Sequence, residues 1–331
     1  MISTRYKPVY LILSAVIPFF IYLLTVAPTV VFFDSGELIT SSFLVSPAHP
    51  PGYPLFVMMG KFGTFLPFGS IAYKVNIMAA FFSSLAAMMV FLITSLIIRD
   101  INVPDALRKY QELISFSTAI TFAFSYSLWN QAIIAEVYPL NTFLTGLIIY
   151  LLLLWRDDSV AAAPCAAKQH EMLPLLPTPD SRLLYLVCFL FGLGLGNHHT
   201  LLVILPIIFL VVAVTNWRLL FDARAWGISL AFLMLGLSVY IFLPLRALQN
   251  PELNWGDPDT MSKLKWVFFR EGYPKGALYR PWSLFWQQVK TFDIIYEFSG
   301  AGLLLGCLGI IAYIIKKPME VLITVSIILV L

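Results

Sequence analysis

The sequence predicts an all-α integral membrane protein, a multi-helix transmembrane bundle with further interfacial helices at its outer face. Three observations predict it. Of 331 residues, 60% are hydrophobic and 12% charged, against roughly 25% charged in an ordinary soluble domain. Mean hydropathy is +0.85. Apolar runs of about 20 residues recur, each long enough to cross a hydrocarbon core of about 30 Å. They lack the every-second-residue alternation of barrel strands. The formal net charge of +3 supplies no strong basic field, so no nucleic-acid partner is expected.

The first run, Val9–Ala27, follows Arg5 and Lys7 as a signal sequence would. No small-x-small cleavage site follows it, so a retained helix is expected. Next comes FFDSGELITSSFLVSPAHPPGYPLF, Phe32 to Phe56, which places two acids, a histidine and several prolines in one stretch. HPPGYP forces a stiff, extended turn. LFVMMGKFGTFLPF after it suits a helix lying in the membrane interface or a re-entrant packing segment. Spans follow at Ile71–Ile98, Leu113–Trp129 and Asn141–Trp155. The Ala/Pro-rich stretch Asp157–Arg182 reads as a plain connector. Spans Leu183–Gly196 and Thr200–Thr215 are joined only by Asn197, His198 and His199, a tight hairpin. After Trp226–Pro244, residues 246–299 read as an outer-face loop region. Gly300–Ile315 and Val321–Leu331 bring the total to about nine spans in a single transmembrane domain, residues 1–331. The last run is short, which fits either a fragment or a minimal core.

Basic residues set the expected orientation. Arg5, Lys7, Arg99, Arg108, Lys109, Arg156, Lys168, Arg182, Arg218, Arg224, Lys316 and Lys317 fall on one side. The other side has only Lys61 and Lys74 before Arg246. The N-terminus is therefore expected in the cytoplasm, with the opposite face periplasmic or extracellular, as in a bacterial inner-membrane protein. Cys165, Cys188 and Cys307 are scattered, without metal spacing, and no disulfide is expected.

That topology gathers the unusual polar residues on the outer face. The first loop carries Asp34, Glu37 and His49. The second carries Asn130, Glu136 and Tyr138, the third Asn197, His198 and His199. The fourth carries Arg246, Asn250, Asn254, Trp255, Asp257 and Asp259. Convergence of sequence-distant polar groups at one membrane surface points to a site between helix ends. Asp34–Ser35 reads as a helix N-cap with Glu37 completing a capping-box-like pattern. The helix dipole then favours ionised carboxylates there. Asp34 is either a general base or merely a cap. His198 and His199 are adjacent, so they cannot easily converge on one metal. They either cap the hairpin or support a phosphate, and no metal site is expected. Arg246 either snorkels or holds a lipid phosphate bidentately. Glu136 either positions a sugar hydroxyl or ends its loop.

The order of four blocks, FFDSGELITSSFLVSPAHPPGYPLF, WNQAIIAEVYPLNTF, GLGLGNHHTLLVILP and LPLRALQNPELNWGDPDT, resembles a family of multi-spanning membrane proteins. That family includes the animal endoplasmic-reticulum protein O-mannosyltransferase acting on plexin-type extracellular domains. The resemblance implies a GT-C superfamily fold with an acidic catalytic motif in the first outer loop. It also implies a lipid-phosphate sugar donor. By position, the acidic motif falls on Asp34 with Glu37 close by. The family pattern also covers His49, Pro50, Pro51, Gly52, Glu136, Tyr138, Asn197, His198, His199, Arg246, Asn254 and Trp255. Family members carry a further C-terminal portion that this chain lacks, which bears on acceptor recognition.

The expected function is an inverting glycosyltransferase that moves a sugar, mannose by analogy, from a polyprenyl-phosphate donor to an acceptor hydroxyl on the non-cytoplasmic side. Asp34 is the expected general base. The expected partners are membrane lipid, the lipid-linked donor and a protein or glycan acceptor. No cofactor is required by this scheme, and dependence on a divalent metal stays open. Two rivals also stay open: a lipid or solute transporter or flippase, and a non-catalytic membrane scaffold that kept the fold.

Overall fold

The computed structural model describes residues 8–100, 108–169, 181–273 and 281–291, together with 297, 298, 304, 306–309 and 311. Among the described residues every regular element is helical. Helices long and apolar enough to cross a membrane cover Pro8–Thr25, Ile71–Arg99, Tyr138–Val160, His199–Phe221 and Ala223–Ala247, with a shorter apolar helix at Arg182–Leu195. The protein is a multi-pass membrane bundle.

Helix α1, Pro8–Thr25, starts on a proline, where the missing N–H costs nothing. It buries only Ser14, Pro18 and Tyr22, a stripe at i, i+4, i+8. Its other apolar side chains, such as Ile12, Phe20 and Leu24, face outward, as they should in lipid. The long central helix α4, Ile71–Asp100, packs against α1, against α5 (Gln111–Ala123) and against α7 (Tyr138–Gln169). Asn76 on α4 donates to the carbonyls of Ala27 at 2.8 Å and Thr29 at 3.2 Å, fixing the chain as it leaves α1. The span expected at Leu113–Trp129 is interrupted. Helix α5 ends at Ala123, and a seven-residue helix α6, Tyr126–Ala132, begins after an extended Ser125. Apolar composition runs through that break, so hydropathy could not reveal it.

Helix α8, Arg182–Leu195, leads through the Asn197–His198 link into a 3-10 turn, His199–Ile204, and helix α9, Leu205–Asn216. Helix α10, Ala223–Leu237, crosses α8 closely. A β-carbon on Gly192 would stand 2.3 Å from the Leu233 carbonyl, and one on Gly236 2.2 Å from that of Phe189. Small residues at facing positions let helix backbones meet, the usual route to tight contact in membranes. Between α8, α9 and α10 lies an apolar cavity of about 680 Å3. It reaches from Leu195 and Leu202, beside the histidine link, to Leu219 and Trp226. The main core, with Trp155, Ile148, Leu152 and Leu201 fully buried, is shared by α4, α7, α8 and α9.

Two short helices follow α1: α2, Ser35–Leu44, and α3, Pro54–Gly63. They are set close by Gly60, where a β-carbon would fall 2.1 Å from the Ser42 hydroxyl. Helix α3 is where an interfacial helix was expected. Instead Pro54, Leu55, Phe56, Val57 and Gly60 are buried, and the Leu55 N–H donates to the Gly196 carbonyl at 3.0 Å. Its first half is packed inside the bundle, the alternative reading. Phe62, Phe65 and Phe68 at its far end remain exposed. The 246–299 region contributes α11, Phe242–Ala247, α12, Met261–Phe268, and α13, Trp282–Thr291. The span expected at Val321–Leu331 lies outside the described residues, as does most of Gly300–Ile315.

Candidate functional site

The loops expected on one face do meet at one end of the bundle. The Ala27 N–H donates to the Ile133 carbonyl at 2.9 Å and the Asn197 amide to the Val137 carbonyl at 2.9 Å. The Trp255 N–H reaches the Pro47 carbonyl at 3.4 Å. Gly52, with φ of 91°, lies so close to α11 that a β-carbon would come within 2.7 Å of Leu243.

Asp34 stands at the N-cap of α2, yet its side chain makes no capping hydrogen bond, and its backbone is helical (φ −79°, ψ −1°). The capping box expected from DSGE does not form. Glu37, on the first turn, turns instead to the HPPGYP segment. It accepts from the His49 backbone N–H at 2.6 Å and from His49 Nδ1 at 2.8 Å. A carboxylate only accepts, so Nδ1 carries hydrogen. In the neutral ring, Nε2 then accepts from the Tyr53 hydroxyl at 2.9 Å. The same Nε2 lies 3.8 Å from Asp34 Oδ2. Asp34 is thus left open at the rim, its side chain 59% exposed, above a Glu37–His49–Tyr53 chain whose histidine side chain is 12% exposed.

Glu136 is buried beside this group, at 5% exposure. Burial pushes its carboxyl up to about 7, and the Asp34 charge adds to the rise, while the backbone amides of Asp34 and Val137 act in the other direction. Near neutral pH a substantial share of Glu136 carries a proton. His198 has extended backbone and accepts from the Thr200 N–H on Nδ1 at 3.1 Å. Its ring is parallel to Tyr53 at 5.9 Å and tilted against Tyr138 at 5.5 Å. Burial, and after it the Arg270 charge, lower its pKa to about 4, so the ring is neutral at pH 7 with hydrogen on Nε2. Burial also raises the Tyr53 hydroxyl, which stays protonated.

The adjacent His199 goes elsewhere. Its Nε2 donates to the Tyr240 hydroxyl at 3.0 Å, which donates in turn to the Leu195 carbonyl at 3.0 Å. Phe268 of α12 covers it at 5.1 Å. Asn197 is fully buried and pins the Glu136–Tyr138 segment from below. Arg246 is engaged with backbone. Nε donates to the Val45 carbonyl at 2.6 Å, Nη2 to that of Leu44 at 3.0 Å, and Nη1 to Gln249. It closes the C-terminal end of α2, where carbonyls lack helical partners. The Asn254 amide is held by Asp257 at 2.9 Å, and Asp257 and Asp259 both pair with Lys263. The Trp255 ring is half exposed, and its backbone is what ties it to the first loop. Asn130 lies on the wall of a separate cavity with Trp129 and Glu297.

Asp34, Glu37, His49, Glu136, Tyr138 and His198 therefore share one cluster, while Arg246, Asn254, Trp255 and His199 stand around it in structural contacts. Sequence reasoning missed Tyr53 and Arg270. Tyr53 lay in a quoted motif but was read only as wall. Arg270 lay in a long segment with no pattern to mark it. Among the described residues no three His, Cys, Asp or Glu side chains are arranged to hold a metal ion.

The family model described as "Protein O-mannosyl-transferase TMEM260 N-terminal domain" matches residues 34–220. A mouse protein named protein O-mannosyl-transferase TMEM260 is 30% identical over 249 residues, 72% of this chain and 31% of its own length. A Dictyostelium discoideum protein of the same name is 27% identical over 301 residues, 88% of this chain and 35% of its own. The chain spans about a third of the length of these curated relatives. No solved structure matches. The matched segment opens on Asp34 itself and runs through every member of the acid–imidazole cluster, and with it the chain belongs to the protein O-mannosyl-transferase TMEM260 N-terminal domain family.

Proposed function

We propose that this chain is the membrane core of an inverting, GT-C-type mannosyltransferase that uses a polyprenyl-phosphate donor and a hydroxyl of a protein acceptor, on the non-cytoplasmic side. The observation that carries the reading is the open carboxylate of Asp34, which has the N-cap position without the capping bond. A carboxylate spent on the helix end could not take a proton; this one is free to.

In the proposed reaction the acceptor O–H gives its proton to Asp34. The oxygen attacks the anomeric carbon from the face opposite the phosphate. The bond from that carbon to the phosphate oxygen breaks, and the lipid phosphate leaves with the electron pair. Glu37 holds His49, and His49 flanks Asp34, fixing where the base sits. Protonated Glu136 and neutral His198 offer hydrogen-bond donors to sugar or phosphate oxygens. The apolar cavity beside the histidine link suits a stretch of prenyl chain. The scheme uses no metal ion, and activity that survives a chelator supports that part of it. A transporter commonly keeps its ionisable groups near the bilayer midplane. Here they stand at helix ends, which favours the enzyme.

The test is incubation of purified protein with a panel of polyprenyl-phosphate sugars and an acceptor polypeptide, followed by mass spectrometry. The expected products are polyprenyl phosphate and an acceptor heavier by one hexose. Transport of the donor across a vesicle membrane with no covalent change would sink the reading.

A further inference from the structure

The geometry points to Arg270 as the side chain that receives the donor phosphate, a role for which Arg246 is already spent. This rests on the transferase reading above and adds the phosphate subsite to it.

The backbone supplies the first observation. Helix α12 ends in a turn in which the Arg270 N–H donates to the Val267 carbonyl at 3.1 Å and the Glu271 N–H to the Trp266 carbonyl at 3.1 Å. This turn needs one residue in the left-handed region, and glycine is preferred there. The residue is Arg270, with φ of 55°. An L side chain is strained in that conformation and glycine is not. Strain of this kind is held at functional positions when the surrounding structure enforces it. Here Phe268, two residues earlier, is fixed between Tyr240 at 4.8 Å and His199 at 5.1 Å. The turn is thereby seated on the histidine link.

Its aim is the second observation. The guanidinium charge acts on Tyr53, Tyr138, His198 and His199 alike, so it lies at the edge those four rings share. Its face rests 4.6 Å from the centre of the Tyr273 ring, a contact that leaves the N–H edge available. Among the described residues its guanidinium has no ion-pair partner. Arg246, by contrast, has all three nitrogens on Leu44, Val45 and Gln249. A guanidinium edge matches two phosphate oxygens at once. At this edge a phosphate would lie between the cation and the neutral His198, with the acids on the sugar side.

The test uses the purified full chain as wild type, Arg270→Gly, Arg270→Lys and Arg246→Gln. Two quantities are read: Tm, and affinity for sugar-free polyprenyl phosphate with phosphatidylglycerol as competitor. Arg270→Gly is expected to keep or raise Tm, because glycine relaxes the turn, while losing at least tenfold in lipid-phosphate affinity. Arg270→Lys keeps the charge without the fork and is expected between the two. Arg246→Gln is expected to lower Tm and leave that affinity within twofold. Unchanged affinity in Arg270→Gly overturns the inference, as does a loss matched by a fall in Tm. Equal competition by phosphatidylglycerol overturns it too, since the phosphate bound would then be that of the bilayer. A wild type that binds polyprenyl phosphate through Arg270 but never turns over donor removes the transferase reading and leaves this subsite standing. Normal turnover in Arg270→Gly with an unchanged donor KM does the reverse.

Discussion

At one end of the bundle Asp157 lies between two arginines, paired with Arg99 and, at 3.2 Å, with Arg156. At the other end Asp34, Glu37 and Glu136 gather with only a histidine among them in ion-pair range. The first arrangement neutralises charge. The second concentrates like charge, leaves Asp34 open to solvent and buries Glu136 until its carboxyl titrates near 7. A structure held for stability alone has no use for the second. Carboxylates whose surroundings separate their proton affinities are what acid–base chemistry needs. The contrast predicts that substitutions at the acidic end change turnover far more than stability, and that those at the paired end do the opposite.

The largest effect is expected at Asp34. Asp34→Asn keeps the shape and removes the proton acceptor. Transfer is expected to fall by roughly 10²–10⁴-fold, with Tm within a degree or two, because the side chain is exposed and caps nothing. Single-turnover transfer from polyprenyl-phosphate mannose measures it. Full activity in the variant would remove Asp34 from the chemistry and erase the contrast between the two ends.

Glu37 comes next. Its two bonds to His49 are charge-assisted and partly buried, and such bonds contribute about 1.5–3 kcal/mol each. In Glu37→Gln one acceptor oxygen becomes an amide donor. His49 must then move its hydrogen from Nδ1 to Nε2 or leave its place. Turnover is expected to drop about tenfold to a hundredfold, with an altered pH profile and a modest fall in Tm. A fall in Tm with an unchanged pH profile would reduce Glu37 to a structural tie.

Much of this layout was legible beforehand, for identifiable reasons. Spans such as Ile71–Ile98 and Thr200–Thr215 announce themselves because lipid demands long apolar runs. The loop residues Asp34, His49 and Glu136 stood out because polar groups are scarce in such a chain. What the sequence hid was direction. DSGE has the spelling of a capping box, but a histidine twelve residues on competes for Glu37 and wins. NHH sends its two rings to different neighbours, because the backbone switches from extended to 3-10 between them. Arg246 looked like a phosphate ligand at a span end, yet the unsatisfied carbonyls of α2 claim it. Arg270 carried no signal at all, since its left-handed φ exists only in the folded turn.

Glu136 sharpens the contrast through pH. Its folded pKa, about 7, lies above the ordinary 4.5, so the folded state binds the proton more tightly than the unfolded chain. That contribution is complete below 4.5 and is lost as pH rises through about 7. Glu136→Gln fixes the uncharged form. The variant is expected to match wild type in Tm at pH 4, to exceed it at pH 8 and to lack the wild-type decline between. Parallel Tm curves for the two proteins would show that Glu136 does not titrate there.

The smallest effect on turnover is expected at Asp157. Asp157→Asn leaves Arg99 and Arg156 without their shared carboxylate at the end of the bundle away from the acids. The Asp157 side chain is 11% exposed and that of Arg99 33%, so solvent answers only part of the loss. A destabilisation on the order of 2 kcal/mol is expected, visible as a lower Tm in detergent. Neither kcat nor the KM for donor should move beyond twofold at a temperature where the variant is folded. A large change in kcat would mean that the two ends are coupled through α4 and α7, the helices that carry Arg99 and Asp157. In that case charge at the paired end sets the position of the acids, and the division between a structural end and a chemical end fails.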